Sequence, residues 1–82
     1  MKKYKVIQFH KIEEIEHFVY LLNHYDDVDV DVKYGKYVVD GKSYLGVLAL
    51  GLCKDLILEF NETNEELMNI LKDKYNVKDF NL

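Results

Sequence analysis

Ser43 is the residue whose position most clearly suggests chemistry. It follows Lys42 and precedes the apolar segment YLGVLALGL. A serine at the start of a helix accepts a hydrogen bond from a free backbone N–H group. The same free N–H groups and the helix dipole also stabilise a phosphate. The sequence therefore predicts that Ser43 caps a short helix, and the same position suits phosphorylation.

The three histidines offer a second kind of chemistry, because an imidazole can accept a phosphoryl group or bind a metal. His10, His17 and His24 are spaced by seven residues. Seven helical residues rise about 10.5 Å, whereas zinc ligands must converge on one ion. We therefore expect a solvated stripe and no metal site. His10, near the start of the first predicted helix, remains an alternative phosphoacceptor, although the sequence shows no group that would activate it.

The acidic and thiol side chains predict no further site. Asp26, Asp27, Asp29 and Asp31 fall on or near a predicted strand, where alternate residues lie about 6.6–6.8 Å apart, and no glycine-containing calcium loop accompanies them.

Cys53, the only cysteine, cannot form an internal disulfide, and its apolar neighbours predict a buried thiol in a reducing compartment. No nucleophile–base constellation or glycine-rich phosphate loop is present, so we expect no catalysis, cofactor or metal.

The charge balance excludes several classes of partner. The 82 residues carry 11 Lys plus Arg against 15 Asp plus Glu, a net charge of −4, and every basic residue is Lys. An acidic chain without Arg is not expected to bind nucleic acid or an anionic membrane. The longest apolar run, Tyr44 to Cys53, is about half of the roughly 20 residues that a membrane helix needs. We expect one cytoplasmic domain over residues 1–82, with no signal peptide.

Hydrophobic periodicity predicts the elements that position these residues. Residues that alternate between apolar and polar predict strands at 2–9, 28–34 and 36–40, and a fourth strand from Leu56 to Phe60. Since Val28, Val30 and Val32 alternate with polar residues, the sheet is expected to be covered on one face only.

Three helices are predicted between and after these strands. The first, over 11–25, has an apolar arc of Ile12, Ile15, Phe18, Val19 and Leu22. The second runs from Ser43 to about Leu50 and ends at Gly51. The third begins at a capping box formed by Thr63 and Glu66 and has an apolar stripe of Leu67, Ile70, Leu71 and Tyr75. The order βαββαβα predicts an α+β fold with a four-stranded antiparallel sheet and three helices on one face.

The segment KYVVDGKSYLGVLALGL, which begins at Lys36, resembles the regulatory-serine region of HPr, the small phosphocarrier of the sugar phosphotransferase system. In that family a Lys-Ser pair is followed by two large apolar residues, a Gly, three mostly apolar residues and a Leu, which here are Lys42 to Leu50. The preceding HYDDVDVDVKYGKYVV, with Tyr25 and Asp26, resembles the second and third strands of the family. The resemblance implies an HPr-like open-faced β-sandwich.

The chain departs from the family at the phosphoacceptor histidine. When the sequence is counted back from Tyr25 without gaps, that histidine falls on Lys11, and the next three positions of its His-Ala-Arg-Pro motif fall on Ile12, Glu13 and Glu14. An acidic residue at the position of the family Arg would repel a phosphohistidine. The sequence is thus similar to HPr-like proteins that lack this histidine and keep the serine.

The resemblance implies a regulatory or adaptor protein of the phosphotransferase system without catalytic activity. Ser43 would be phosphorylated by the HPr kinase/phosphorylase, and Tyr44, Leu45 and Leu48 would dock partners, among them a catabolite-control transcription factor. Val47 and Leu50 are expected in the core. Two alternatives remain open at this stage: a phosphocarrier that uses His10, and a small structural or interaction module unrelated to sugar transport.

Overall fold

The computed structural model describes residues 2–60, 64–75 and 77–79, and its elements follow the predicted order with one additional strand. The three helices are α1 (Ile12–Leu22), α2 (Tyr44–Leu50) and α3 (Glu65–Tyr75). The five strands are β1 (Lys3–Ile7), β2 (Val30–Tyr34), β3 (Tyr37–Asp40), β4 (Leu56–Phe60) and β5 (Lys78–Asp79).

The strands form one antiparallel sheet with the order β3-β2-β4-β1-β5. The prediction of four strands is therefore one strand short. β5 pairs with β1 along two residues only, and Lys5 forms an ion pair with Asp79 there. Two residues are too few to show the alternation by which a strand is recognised in a sequence.

The helices pack on one face of this sheet. The strand register places Ile7 opposite Leu56, and Leu58 opposite Val32, on the same face. These four side chains are buried in a single core cluster together with apolar residues of all three helices. The predicted one-sided core, including buried Val28, Val30 and Val32, is confirmed.

An aromatic cluster joins the end of β1 to the first and last helices. The ring centroid of Phe9 lies 5.1 Å from that of Phe18 and 5.7 Å from that of Tyr75, both in edge-to-face geometry. Phe18 and Tyr75 complete the triangle at 6.2 Å. Such pairs contribute about 0.5–1.5 kcal/mol each beyond the area that they bury, so this cluster fixes α1 and α3 relative to each other.

Two predicted helix faces need correction at their edges. Ile12 is 43 % exposed, because at about 100° per residue it lies at the rim of the α1 arc and in the first turn. In α3, Met68 is buried and Ile70 is only partly buried, because Met68 lies closer than Ile70 to the centre of the arc that Leu67, Leu71 and Tyr75 define.

The helix ends also differ from the predictions. The helix predicted over 11–25 ends at Leu22. The predicted capping residue Thr63 lies outside the described residues. Within them, the Asn64 Oδ1 atom accepts a hydrogen bond from the Leu67 N–H group at 3.1 Å, which is the geometry of an N-cap.

Glu59 is a buried carboxylate on the face of the sheet that the helices leave open. It lies on the central strand β4, opposite Tyr4 and Asp31, and is only 6 % exposed. The Nζ atoms of Lys33 and Lys2 approach its oxygens to 2.8 and 3.2 Å, and the Tyr4 hydroxyl donates to it at 3.1 Å. These partners, Lys33 first, lower the pKa of Glu59 to about 2.

Glu59 should make the stability of the chain sensitive to acid. Because its pKa is lower in the folded chain than the ordinary value of 4.5, its stabilising effect is complete above about pH 5 and is lost as the pH falls toward 2. In urea unfolding at several pH values, the stability advantage of the wild type over Glu59→Gln should shrink over this range. The control Asp29→Asn removes an exposed carboxylate and should show no comparable trend. An advantage independent of pH would contradict the proposed role of the Glu59 charge.

Candidate functional site

The start of α2 is built around Ser43, as the sequence predicts. The Ser43 backbone is extended (φ −98°, ψ 109°), and its Oγ atom accepts a hydrogen bond from the Gly46 N–H group at 3.2 Å. The helix continues to Leu50 and ends at Gly51, which has a positive φ of 98°. Ser43 is exposed, so its hydroxyl group is accessible to another protein.

The loop before Ser43 is held by a hydrogen bond within the loop and by two hydrogen bonds to the residues that follow α1. The Ser43 N–H group donates to the Asp40 carbonyl oxygen at 3.0 Å. The Lys42 ammonium donates to the Tyr25 carbonyl oxygen at 2.8 Å, and the Asn23 side chain donates to the Lys42 carbonyl oxygen at 3.2 Å. These contacts fix the backbone that presents the Ser43 hydroxyl group.

Gly46 lets α2 approach β3 closely. A Cβ atom at this position would lie 3.1 Å from the Cβ atom of Val39 and 3.2 Å from the Oγ atom of Ser43. Both distances are shorter than ordinary van der Waals contact. A side chain at position 46 would therefore push the helix away from the strand or disturb the Ser43 cap.

The candidate docking residues of α2 differ in exposure. Leu45 is 75 % exposed. Tyr44 and Leu48 are partly buried and pack against the core. Val47 and Leu50 are buried, as predicted. We call Ser43, Tyr44, Leu45 and Leu48 the α2 surface.

A shallow groove between α1 and α2 extends this surface. It is lined by Glu16, Val19 and Tyr20 of α1 and by Tyr44. Tyr20 is 69 % exposed and was not among the predicted site residues. Tyr20 lies on the polar side of α1, and the sequence does not predict that it lines a groove, because the groove forms only where α2 packs beside α1.

Glu14 lies in the first turn of α1, and its carboxylate turns back to the residues that precede the helix. Its Oε1 atom accepts hydrogen bonds from the N–H groups of His10 at 2.6 Å and Lys11 at 3.1 Å. A carboxylate thus already satisfies the N–H group of the N-cap residue Lys11, one of the free donors of the helix start, and that of His10 before it. The predicted charge conflict lies at the neighbouring Glu13, and the sequence does not predict these hydrogen bonds of Glu14.

Cys53 is exposed, so the predicted buried thiol is wrong. It lies in the turn between α2 and β4 with a positive φ of 60°, and its N–H group donates to the Phe9 carbonyl oxygen at 2.7 Å. Because Gly51 ends the helix first, the apolar neighbours of Cys53 in the sequence do not surround it in the fold. Its Sγ atom lies 3.8 Å from the Nδ1 atom of His10, a contact that the sequence did not predict.

The remaining candidate residues are solvated, as expected. His17 and His24 are exposed, and so are Asp26, Asp27, Asp29 and Asp31. Within residues 2–60, 64–75 and 77–79, no group of three or more His, Cys, Asp or Glu side chains could hold a metal ion. In the same ranges no helix has the length and apolar character needed to cross a membrane.

The comparisons with known proteins identify the fold. No model of a protein family and no curated protein matches the chain. Among solved structures, the chain is similar to HPr-C-His from Thermoanaerobacter tengcongensis, with a TM-score of 0.63 and 18 % sequence identity over 89 % of this chain and 88 % of that one. The chain has an HPr-like fold. This confirms the fold that the segment around Ser43 implied.

The capping role of Ser43 in the HPr-like fold can be tested directly. Ser43→Ala removes the acceptor for the Gly46 N–H group and should lower the free energy of unfolding by about 0.5–2 kcal/mol. Ser43→Asp retains a capping oxygen and should lose much less. Urea unfolding measures both variants, and equal stability of Ser43→Ala and the wild type would exclude a structural role for the cap.

Proposed function

We propose that this protein is an HPr-like regulatory or adaptor protein of the phosphoenolpyruvate-dependent sugar phosphotransferase system. It acts in the cytoplasm, without catalysis of its own, and binds partners through the α2 surface. Phosphorylation of Ser43 by the HPr kinase/phosphorylase switches that binding. The observation that carries the proposal is the accessible Ser43 hydroxyl group next to the exposed Leu45 side chain.

The electrostatic effect of a phosphate on Ser43 supports a switch. A phosphate adds a charge of about −1.5 to −2 at neutral pH. On Ser43 it would lie beside the first-turn N–H groups of α2, including that of Gly46, and directly before Tyr44 and Leu45. The same apolar residues would then be presented with or without an adjacent anion, which a partner can distinguish.

The chemistry of the partner surface follows from Leu45. An exposed large apolar side chain on a small chain commonly marks a protein interface. Among the three apolar residues of the α2 surface, Leu45 is the most exposed, whereas Tyr44 and Leu48 are partly buried. The kinase/phosphorylase and a catabolite-control transcription factor are the expected partners. In the absence of Arg, nucleic acid is not an expected partner.

A phosphocarrier that uses His10 is less well supported. The Glu14 carboxylate accepts hydrogen bonds from the His10 and Lys11 N–H groups. A phosphoryl group on His10 would have to compete with this carboxylate for the same donors and would be repelled by it. We therefore infer that the chain does not relay a phosphoryl group from phosphoenolpyruvate.

Ser43 phosphorylation has an unusually clear assay, because Ser43 is the only serine and Thr63 the only threonine. Incubation with HPr kinase/phosphorylase and ATP should add one phosphate, detected by mass spectrometry of the intact protein. Ser43→Ala should abolish the addition, and the matched control Thr63→Val should leave it unchanged. Absence of phosphate on the wild type, or its persistence in Ser43→Ala, would refute the proposed switch.

Leu45 should contribute to recognition without contributing to stability. Leu45→Ala should change the free energy of unfolding little, since the side chain is 75 % exposed. It should lower kcat/KM for Ser43 phosphorylation by about tenfold, as expected for an anchor at an interface. The control Ile12→Ala removes another exposed apolar side chain, at the start of α1, and should leave kcat/KM unchanged. Equal losses in both variants would argue against docking through the α2 surface.

A further inference from the structure

The side of α2 that faces β3 forms a second groove, separate from the α2 surface. Tyr34 and Tyr37, at the two ends of the β2–β3 turn, line it together with Lys54. Its aliphatic lining is Val38, Val39, Ala49 and Leu50. The volume of about 320 Å³ lies at the lower end of the range for ligand sites and suits one or two large side chains. We call it the α2/β3 groove.

The aromatic side chains of the groove are open to a partner. Tyr37 is 59 % exposed, Val38 55 % and Tyr34 40 %. Tyrosine combines a large apolar area with a polar hydroxyl group and loses little conformational entropy when it is covered, so it is enriched in interface hot spots. The volume of about 320 Å³ would accept an aromatic or large aliphatic side chain against these rings.

Lys54 in the lining and Lys36 beside the Tyr37 ring place two positive charges at the groove, in contrast to the net charge of −4 of the chain. The Lys54 Nζ atom lies 4.9 Å from the centroid of the Tyr34 ring, and the Lys36 Nζ atom lies 5.8 Å from that of Tyr37. Neither ammonium group forms an ion pair with a described residue, and no lining residue is acidic. Both are therefore available to a carboxylate of a partner.

The groove also runs beside an unpaired strand edge. Among the described residues, β3 is the outer strand of the sheet and pairs only with β2. An extended peptide can add to such an edge by backbone hydrogen bonds, while alternate side chains enter an adjacent pocket. The turn between the strands keeps this edge in place, since Gly35 has a φ of 58° and Lys36 does not have a positive φ, the pattern of a tight type II′ hairpin.

From the open tyrosines, the two lysines and the free strand edge, we propose that the α2/β3 groove binds an extended peptide of a partner protein in which an aromatic side chain is flanked by carboxylates. The aromatic side chain packs in the groove against Tyr34 and Tyr37, and the carboxylates pair with Lys36 and Lys54. This site is separate from Ser43, which lies at the opposite end of α2 from Ala49 and Leu50.

Selection from a random decapeptide library displayed on phage tests the proposal, with the immobilised full chain as bait. The enriched peptides should carry an aromatic residue within two positions of Asp or Glu. The most enriched peptide, made synthetically, should shift the amide NMR signals of Tyr34, Tyr37, Val38 and Ala49. No enrichment, enrichment without acidic residues, or shifts confined to the groove between α1 and α2 would overturn the proposal.

Matched variants separate charge, aromatic contact and the Ser43 switch. The double substitution Lys36→Gln, Lys54→Gln should weaken binding of the synthetic peptide about three- to tenfold, and Tyr37→Ala about tenfold. The double substitution Lys72→Gln, Lys74→Gln removes the same charge from exposed sites on α3, and Ser43→Asp alters the proposed switch while it retains a capping oxygen. Both should bind like the wild type.

The same measurements distinguish the other occupants of the groove. If a second copy of the chain covers it, the signals of Tyr37 and Val38 will shift with protein concentration when no peptide is present, and this would overturn the proposal. Affinity that Lys36→Gln, Lys54→Gln leaves unchanged would also overturn it. Because Ser43 phosphorylation is scored separately, failure of the groove and failure of the proposed function give different results.

Discussion

The short helix α2 depends on its neighbours for its position, and the candidate functional surfaces depend on α2. Seven residues are too few for an isolated helix to be stable in water. Here the Ser43 cap, the buried Val47 and Leu50 side chains and the close approach of Gly46 to Val39 hold the helix against β3 and the core. As a result Leu45 projects outward between two grooves, one toward α1 and one toward β3. A change that loosens α2 would therefore affect both surfaces at once.

The second constraint is a sheet that helices cover on one face only. The covered face can be uniformly apolar, as Ile7, Leu56 and Leu58 are. The other face has no layer to bury it, yet the centre of a five-stranded sheet is still poorly accessible to water. Glu59 lies there with Lys2, Lys33 and Tyr4 around its carboxylate. The charge is tolerated because each oxygen has a partner, which agrees with the general behaviour of buried ionised groups.

The sequence predicts the features of this fold that repeat over several residues or use a distinctive local signal. The alternation of Val28, Val30 and Val32, the arc of α1 and the serine cap of α2 are of this kind, and all three are present. Features that depend on where distant segments meet were missed. The two-residue β5, the exposure of Cys53, the groove position of Tyr20 and the carboxylate contacts of Glu59 follow from tertiary packing. Periodicity carries no information about them. Glu14 instead forms a local capping box with Lys11.

We favour a regulatory protein over a phosphocarrier because the start of α2 and the start of α1 differ in what they offer to a phosphate. At Ser43 a hydroxyl group is exposed at the start of a helix, whereas the N–H groups of His10 and Lys11, just before α1, are already bound to the Glu14 carboxylate. Exposure of the chain in parallel to enzyme I with phosphoenolpyruvate, and to the kinase with ATP, compares the two segments directly. We expect an acid-stable phosphate from the kinase alone. An acid-labile phosphate delivered by enzyme I and lost in His10→Ala would contradict this assignment and identify the chain as a carrier.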